Sequence, residues 1–189
     1  MTPAGTIAGL RSYLCRFAVD RKAISAVEFA LILPFMVFTY VGSAELGDGM
    51  AINYKATETA RTVTDLASQY VTIDPTTMGN ILGASAQVVA PFSSANMVVT
   101  LSEVSPTNAS GQGTIQWSCS LNGTARTVGT TVTLPTSLQT ESGVYIIWGE
   151  VTYPYTPALG YAIAGTVNLY QSIYFYPRLS NSVTLTSGC

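Results

Sequence analysis

The rhythm of apolar and polar positions changes twice along the chain. After Arg21-Lys22 comes a run from Ala23 to Leu46 whose only charged residues are Glu28 and Glu45. The 23 residues from Ile24 to Leu46 make about 34 Å of helix at about 1.5 Å each, enough to cross a hydrocarbon core of about 30 Å. Pro34 lies inside this run and predicts a kink or local melting. Gly47 and Gly49, bracketing Asp48, predict a weak joint where the helix meets water. Apolar positions then recur at Ile52, Ala56, Ala60, Val63, Ala67 and Tyr70, the spacing of an amphipathic helix. Lys55, Glu58, Arg61 and Asp65 fall mostly on its other side, with Glu58 and Arg61 placed for an exposed pair. The helix should stop before Asp74-Pro75, because proline disfavours helical geometry in its predecessor.

From Thr76 the texture turns to Ser, Thr, Gly, Asn and β-formers. A short helix is expected over Met78–Ala86, and strands over Asn96–Val104, Thr114–Ser120 and Thr127–Leu134, with a turn-rich loop at Pro106–Gly111 and a turn or short helix at Ser137–Ser142. The aromatic and β-branched segments Val144–Tyr155 and Val167–Arg178 give the clearest strand signals. The connection between them contains Pro157, Gly160 and Gly165, so they should pair antiparallel. The fold class is therefore α+β: a long N-terminal helix, transmembrane and then amphipathic, followed by a small antiparallel β-sheet ectodomain. The expected segments are a leader over residues 1–23, a span over 24–46, an amphipathic helix over 47–73 and a β-rich domain over 74–189.

Composition fits one modest domain plus an anchor: of 189 residues, 48% are hydrophobic and 10% charged. The formal charge of −2 conceals an asymmetry. Arg11, Arg16, Arg21 and Lys22 face Asp20 alone before Ile24, whereas four cations face seven carboxylates after Leu46. Basic residues just before a span stay cytoplasmic, so the C-terminal part should face the periplasm or exterior. Cys15 would then lie on the reducing side. Cys119 and Cys189 would lie in an oxidising compartment, where one Cys119–Cys189 disulfide is expected in preference to two free thiols. A conventional signal peptide cleaved near Val41-Gly42-Ser43-Ala44 is the alternative to an anchor, although the apolar run is long for one.

Catalytic signals are absent. The sequence has no histidine, which disfavours Ser-His-Asp, Cys-His and His-ligated zinc chemistry together. It has no phosphate-cradling or dinucleotide motif, and its acidic C-terminal part argues against nucleic acid. Neither an enzyme nor a cofactor-binding protein is expected. Asn108-Ala109-Ser110 and Asn122-Gly123-Thr124 match a glycosylation acceptor, but turn formation accounts for both.

Glu28 gives the apolar run its meaning. A carboxylate at the centre of a span is disfavoured by about 2.5–3.5 kcal/mol, less near an end, so it normally has a partner or a task. Basic residues, a small residue, four residues, then Glu, an aromatic and an apolar run containing Pro resemble the leader junction of TadE-like minor pseudopilins of Tad (Flp-type) pili. The resemblance implies a pilin-like fold, with cleavage by a membrane prepilin peptidase between Ala23 and Ile24. Glu28 and Phe29 take the motif's Glu-aromatic positions, and Ala23 stands where the family usually has Gly. The aromatic-Pro-aromatic Tyr153-Pro154-Tyr155 and the closing Pro177-Arg178 are similar to the family too, whereas Thr76 to Thr140 hardly resembles it. In type IV pilin-like proteins the Glu meets an N-terminal amine, which here would be that of Ile24 on the same or a neighbouring subunit. The implied partners are the inner membrane, the prepilin peptidase, other minor pseudopilins, the major Flp pilin and the inner-membrane assembly platform. Ser25, Ala26, Ala30, Gly42, Ser43 and Ala44 would permit close helix packing. The rival reading is a signal-anchored envelope adhesin or ligand-binding protein with no part in assembly.

Overall fold

A computed structural model describes residues 21–108, 110–139, 143–157 and 165–189. Residues 1–20 of the expected leader, including Cys15, lie outside the described residues, as do Ala109, residues 140–142 and Gly160. Helix α1 spans Arg21–Ser68 without a break, so local melting at Pro34 is not found and the helix continues through Gly47 and Gly49. One missing N–H at Pro34 does not interrupt so long a run of intrahelical bonds. The helix ends at Ser68, ahead of the expected boundary at residue 73. The chain divides into two compact units, Met1–Leu46 and Gly47–Cys189.

In the first unit, large apolar side chains are bare. Phe35 is 75% exposed and Phe38 74%, with Leu31, Ile32, Met36 and Val37 all more than half exposed. A stretch of α1 is long and apolar enough to cross a membrane. Its hydroxyls are satisfied within the helix: Thr39 Oγ1 donates to Phe35 O at 2.8 Å and Ser43 Oγ to Tyr40 O at 2.7 Å. Such back-bonding is what a helix in hydrocarbon requires of its polar side chains.

In the second unit, the α1 stripe Ile52, Ala56, Ala60, Val63 and Ala67 is buried, whereas Tyr70 lies beyond the helix and is exposed. Strand β1 (Thr72–Ile73) follows, then helix α2 (Pro75–Val89), longer at its start than expected. Asp74 caps α2: its Oδ1 accepts from Thr77 N at 2.9 Å and its Oδ2 from Thr77 Oγ1 at 2.8 Å, and Pro75 supplies a pre-set φ. These hydrogen bonds hold the Asp74 carboxyl below its ordinary pKa.

Strands β2 (Val98–Val104), β3 (Gln112–Leu121), β4 (Thr131–Thr133), β5 (Ile146–Tyr155) and β6 (Val167–Phe175) form one sheet of order β4-β3-β2-β5-β6. All its pairings are antiparallel, those of the last two long strands included. The strand expected over Thr127–Leu134 shrinks to three residues, because Gly129 turns the chain at φ 85°. Strand β7 (Thr184–Leu185) returns to pair in parallel with β1. A 3-10 turn fills Thr136–Leu138.

Alternation gives the sheet two packed faces. Val99, Leu101, Cys119, Ile147 and Val151 join Ala56, Ala60, Val63, Met78, Ile81 and Val89 in the main core. Val104, Ile115, Leu134, Ile146 and Trp148 form a second cluster, joined by Leu138 and Tyr174. Helix α1 approaches the sheet closely at Gly149, where a Cβ would run into Thr64 Oγ1 and lie 3.2 Å from the Ala60 carbonyl. Cys119 and Cys189 form a disulfide with Cα atoms 5.6 Å apart, tying Cys189 to the C-terminal part of β3.

Candidate functional site

The site expected at the start of the apolar helix is carried wholly by α1. Ala23 is helical, and Ile24 and Glu28, four residues apart, stand one turn apart on one face. Ile24, Glu28 and Phe29 are all exposed, and Pro34 lies one and a half turns further on. Among the described residues, Glu28 takes part in no hydrogen bond or ion pair. A carboxylate moved into hydrocarbon in that condition would keep its full desolvation penalty, so the arrangement suits a cation delivered from outside the described chain.

The second unit treats its acids differently. On the outer face of the sheet, Arg126 meets the buried Glu150 with two parallel bonds, Nε to Oε2 at 2.6 Å and Nη2 to Oε1 at 2.7 Å. Tyr170 donates its hydroxyl to Glu150 Oε1 at 2.7 Å. The Arg126 guanidinium sits 4.0 Å from the centre of the Trp148 ring, which stacks on Tyr174 at 5.6 Å and donates Nε1–H to Ser172 Oγ at 2.9 Å. The hydrogen bond to Glu150 raises the Arg126 pKa further, and burial, followed by the bond to Glu150, pushes Tyr170 up to about 12. The cleft beside this cluster, about 280 Å³, is bordered by charges already neutralised against each other. It is built to hold the sheet's outer face together, with the hydroxyl pairs Thr100–Ser120 and Ser102–Ser118, each at 2.9 Å, continuing the polar seam.

A second acid lies on the inner face. Glu103 is 3% exposed and accepts the Val183 N–H at 2.6 Å, while Trp117 Nε1 donates to Val183 O, also at 2.6 Å. Burial pushes the Glu103 carboxyl up to about 7 against the opposing pull of those donors. Glu103, Trp117, Tyr145 and the disulfide line an open cleft of about 510 Å³ beside the C-terminal segment. With one carboxylate already bonded to backbone, this cleft anchors the end of the chain. Among the described residues, no group of three His, Cys, Asp or Glu could hold a metal ion.

Of two expectations at exposed positions, one changes and one holds. Glu58 and Arg61 do not form an ion pair, whereas Arg178 pairs with Asp65 and donates its backbone N–H to Ser68 O at 2.9 Å. The two acceptor-like asparagines are built into turns: Asn108 Oδ1 accepts from Ser110 N and Gln112 N, and Asn122, at φ 57°, donates Nδ2 to Met97 O and Ser94 O.

No family model, curated protein or solved structure matches this chain.

Proposed function

We propose that the chain is a minor pseudopilin-like subunit of the TadE type, pilin-like in architecture, that acts in starting or priming a Tad (Flp, type IV-like) pilus. It acts through helix packing and through contacts of its β domain, not through catalysis. The observation that carries this reading is Glu28: an exposed carboxylate one turn beyond Ile24, in an apolar run of α1 whose one other charged residue is Glu45, with no partner among the described residues. A prepilin peptidase cutting between Ala23 and Ile24 frees an α-ammonium that can meet it. In low dielectric such a pair sets register strongly, because a carboxylate out of register is left desolvated and alone. On this reading the protein is a single-pass inner-membrane protein, its N-terminus cytoplasmic and its β domain periplasmic. Its partners are other minor pseudopilins, the major Flp pilin and the assembly platform.

The test combines two changes in this chain alone: Glu28→Gln, and an Ala23 replacement that blocks cleavage. With normal processing, Glu28→Gln leaves membrane insertion intact and reduces pilus number. In the uncleaved chain no amine is freed, and Glu28→Gln has no further effect. Intact-mass measurement with and without the peptidase reads the loss of Met1–Ala23. Normal piliation in the Glu28→Gln strain, or filaments containing the chain with its arginine-rich head retained, overturns the reading and leaves an anchored envelope protein.

A further inference from the structure

Among the described residues, the sheet ends on one side in β4, three residues long, and on the other in β6, nine residues long and paired only with β5. Long free edges are usually blunted by charge, proline, a bulge or a covering element. Strand β6, Val-Asn-Leu-Tyr-Gln-Ser-Ile-Tyr-Phe, has no charge, proline or glycine, and its pairing to β5 runs in unbroken register from Val167 to Phe175. Its unpaired edge carries a row of main-chain donors and acceptors in register.

That edge opens onto a groove of about 400 Å³. Ile173 and Phe175 of β6 form one wall, Thr57 and Arg61 of α1 a second, and Pro135 and Leu138 of the 3-10 turn the third. Arg61 is the one charged residue lining it; it is exposed and makes no ion pair among the described residues. The groove thus offers a strand edge, apolar walls and a single uncompensated cation. These are the parts of a β-augmentation site: main-chain bonds for affinity, side pockets and one charge for choice.

We infer that the free edge of β6 takes an extended segment of another polypeptide, added as a sixth strand, with a carboxylate of that segment placed against Arg61. A second copy pairing through its own β6 is disfavoured, because Val167–Phe175 has no acidic residue to set against Arg61. The inference stands on the groove and strand edge, and it holds whether or not Glu28 meets an amine.

The test uses the full chain in detergent micelles. The probe is a pool of synthetic octapeptides that alternate Val or Thr with randomised positions and end in Asp. The control is the same pool N-methylated at alternate amides, which blocks main-chain pairing. Affinity selection with mass spectrometry should retain members of the first pool and about tenfold less of the methylated one. Retained peptides should slow hydrogen exchange across Val167–Phe175. Arg61→Gln should weaken retention about fivefold, as loss of a partly exposed charge-assisted contact does. Four outcomes overturn the inference: no peptide retained, equal retention of the methylated pool, protection away from β6, or indifference to Arg61→Gln. A dimer of the free protein with β6 already protected also overturns it, by giving the edge to a second copy.

Discussion

Gly149→Ala tests how α1 is joined to the sheet. The added Cβ would overlap Thr64 Oγ1 and lie 3.1 Å from Thr64 Cβ and 3.2 Å from Ala60 O. Thr64 is fully buried, and its Oγ1 donates to Ala60 O at 2.6 Å, so the hydroxyl has no empty space to turn into. Overpacking of this kind costs about 1–3 kcal/mol, and a buried hydroxyl stripped of its acceptor costs about 1–3 kcal/mol more. Removing a glycine from the unfolded chain returns about 0.5–1 kcal/mol. The net expectation is a loss of about 1–5 kcal/mol, a large share of the stability of about 5–15 kcal/mol typical of a single domain. Trp117 and Trp148, the protein's two tryptophans, both lie in the sheet. Their fluorescence during urea unfolding in detergent therefore reports this unit. Thr64→Ala deletes the nearest obstructing atom, and Ala60 O keeps the ordinary helical bond from residue 64. The double variant should consequently recover at least about 1 kcal/mol relative to the sum of the singles. Strict additivity, or a Gly149→Ala cost below about 0.5 kcal/mol, would refute the close approach of helix backbone to strand.

Three other outcomes follow from buried groups. The raised Glu103 pKa means that the folded state retains a proton between about 4.5 and about 7 that the unfolded state has lost. Stability should fall across that window by up to about 3 kcal/mol, and Glu103→Gln should flatten the profile of urea midpoints against pH. Reducing the Cys119–Cys189 bond, which closes a separation of 70 residues, should cost about 4 kcal/mol in the chain-entropy account; Ellman titration of the denatured, unreduced protein should find neither thiol free. Arg126→Ala leaves Glu150 buried with the Tyr170 hydroxyl as its remaining side-chain partner, at a cost of about 3–5 kcal/mol; Arg126→Ala together with Glu150→Ala should be milder than Arg126→Ala alone by thermal melt.

What the sequence made legible was whatever periodicity encodes. The stripe from Ile52 to Ala67 reads as a helix face because it repeats every three or four residues, and the core lies where it predicts. The long strands were likewise visible in their β-branched and aromatic runs. Pro154 does not break β5, because β2 pairing stops at Thr152 and the strand beyond it has β6 alone as neighbour. The start of α2 carried its own signal in Asp74-Pro75, a capping residue followed by a first-turn proline, which the expectation of a helix from Met78 overlooked. Two-residue strands such as β1 and β7 have no period to detect. Arg126 and Glu150 stand 24 residues apart and meet only because β3, β2 and β5 are neighbours. The burial of Glu103 follows from falling on the same face as Val99 and Leu101, which no local pattern of charge reveals.

The fate of the carboxylates links the two units in purpose. Asp65, Asp74, Glu103 and Glu150 each have a named partner: Arg178, the first turn of α2, the Val183 amide, and Arg126 with Tyr170. Where an acid of the β domain is withdrawn from water, the fold supplies a donor, as the cost of leaving it bare demands. Glu28 would face that same cost in hydrocarbon, yet among the described residues nothing answers it. Asp48 and Glu58, outside the apolar run, also have no partner among the described residues; Glu28 is the unpartnered acid that lies within that run, at the turn where a cut would free an amine. On the function we propose, the missing half of the pair is the amine that processing frees, and a neighbour placed in register would remove the cost of burying Glu28 alone.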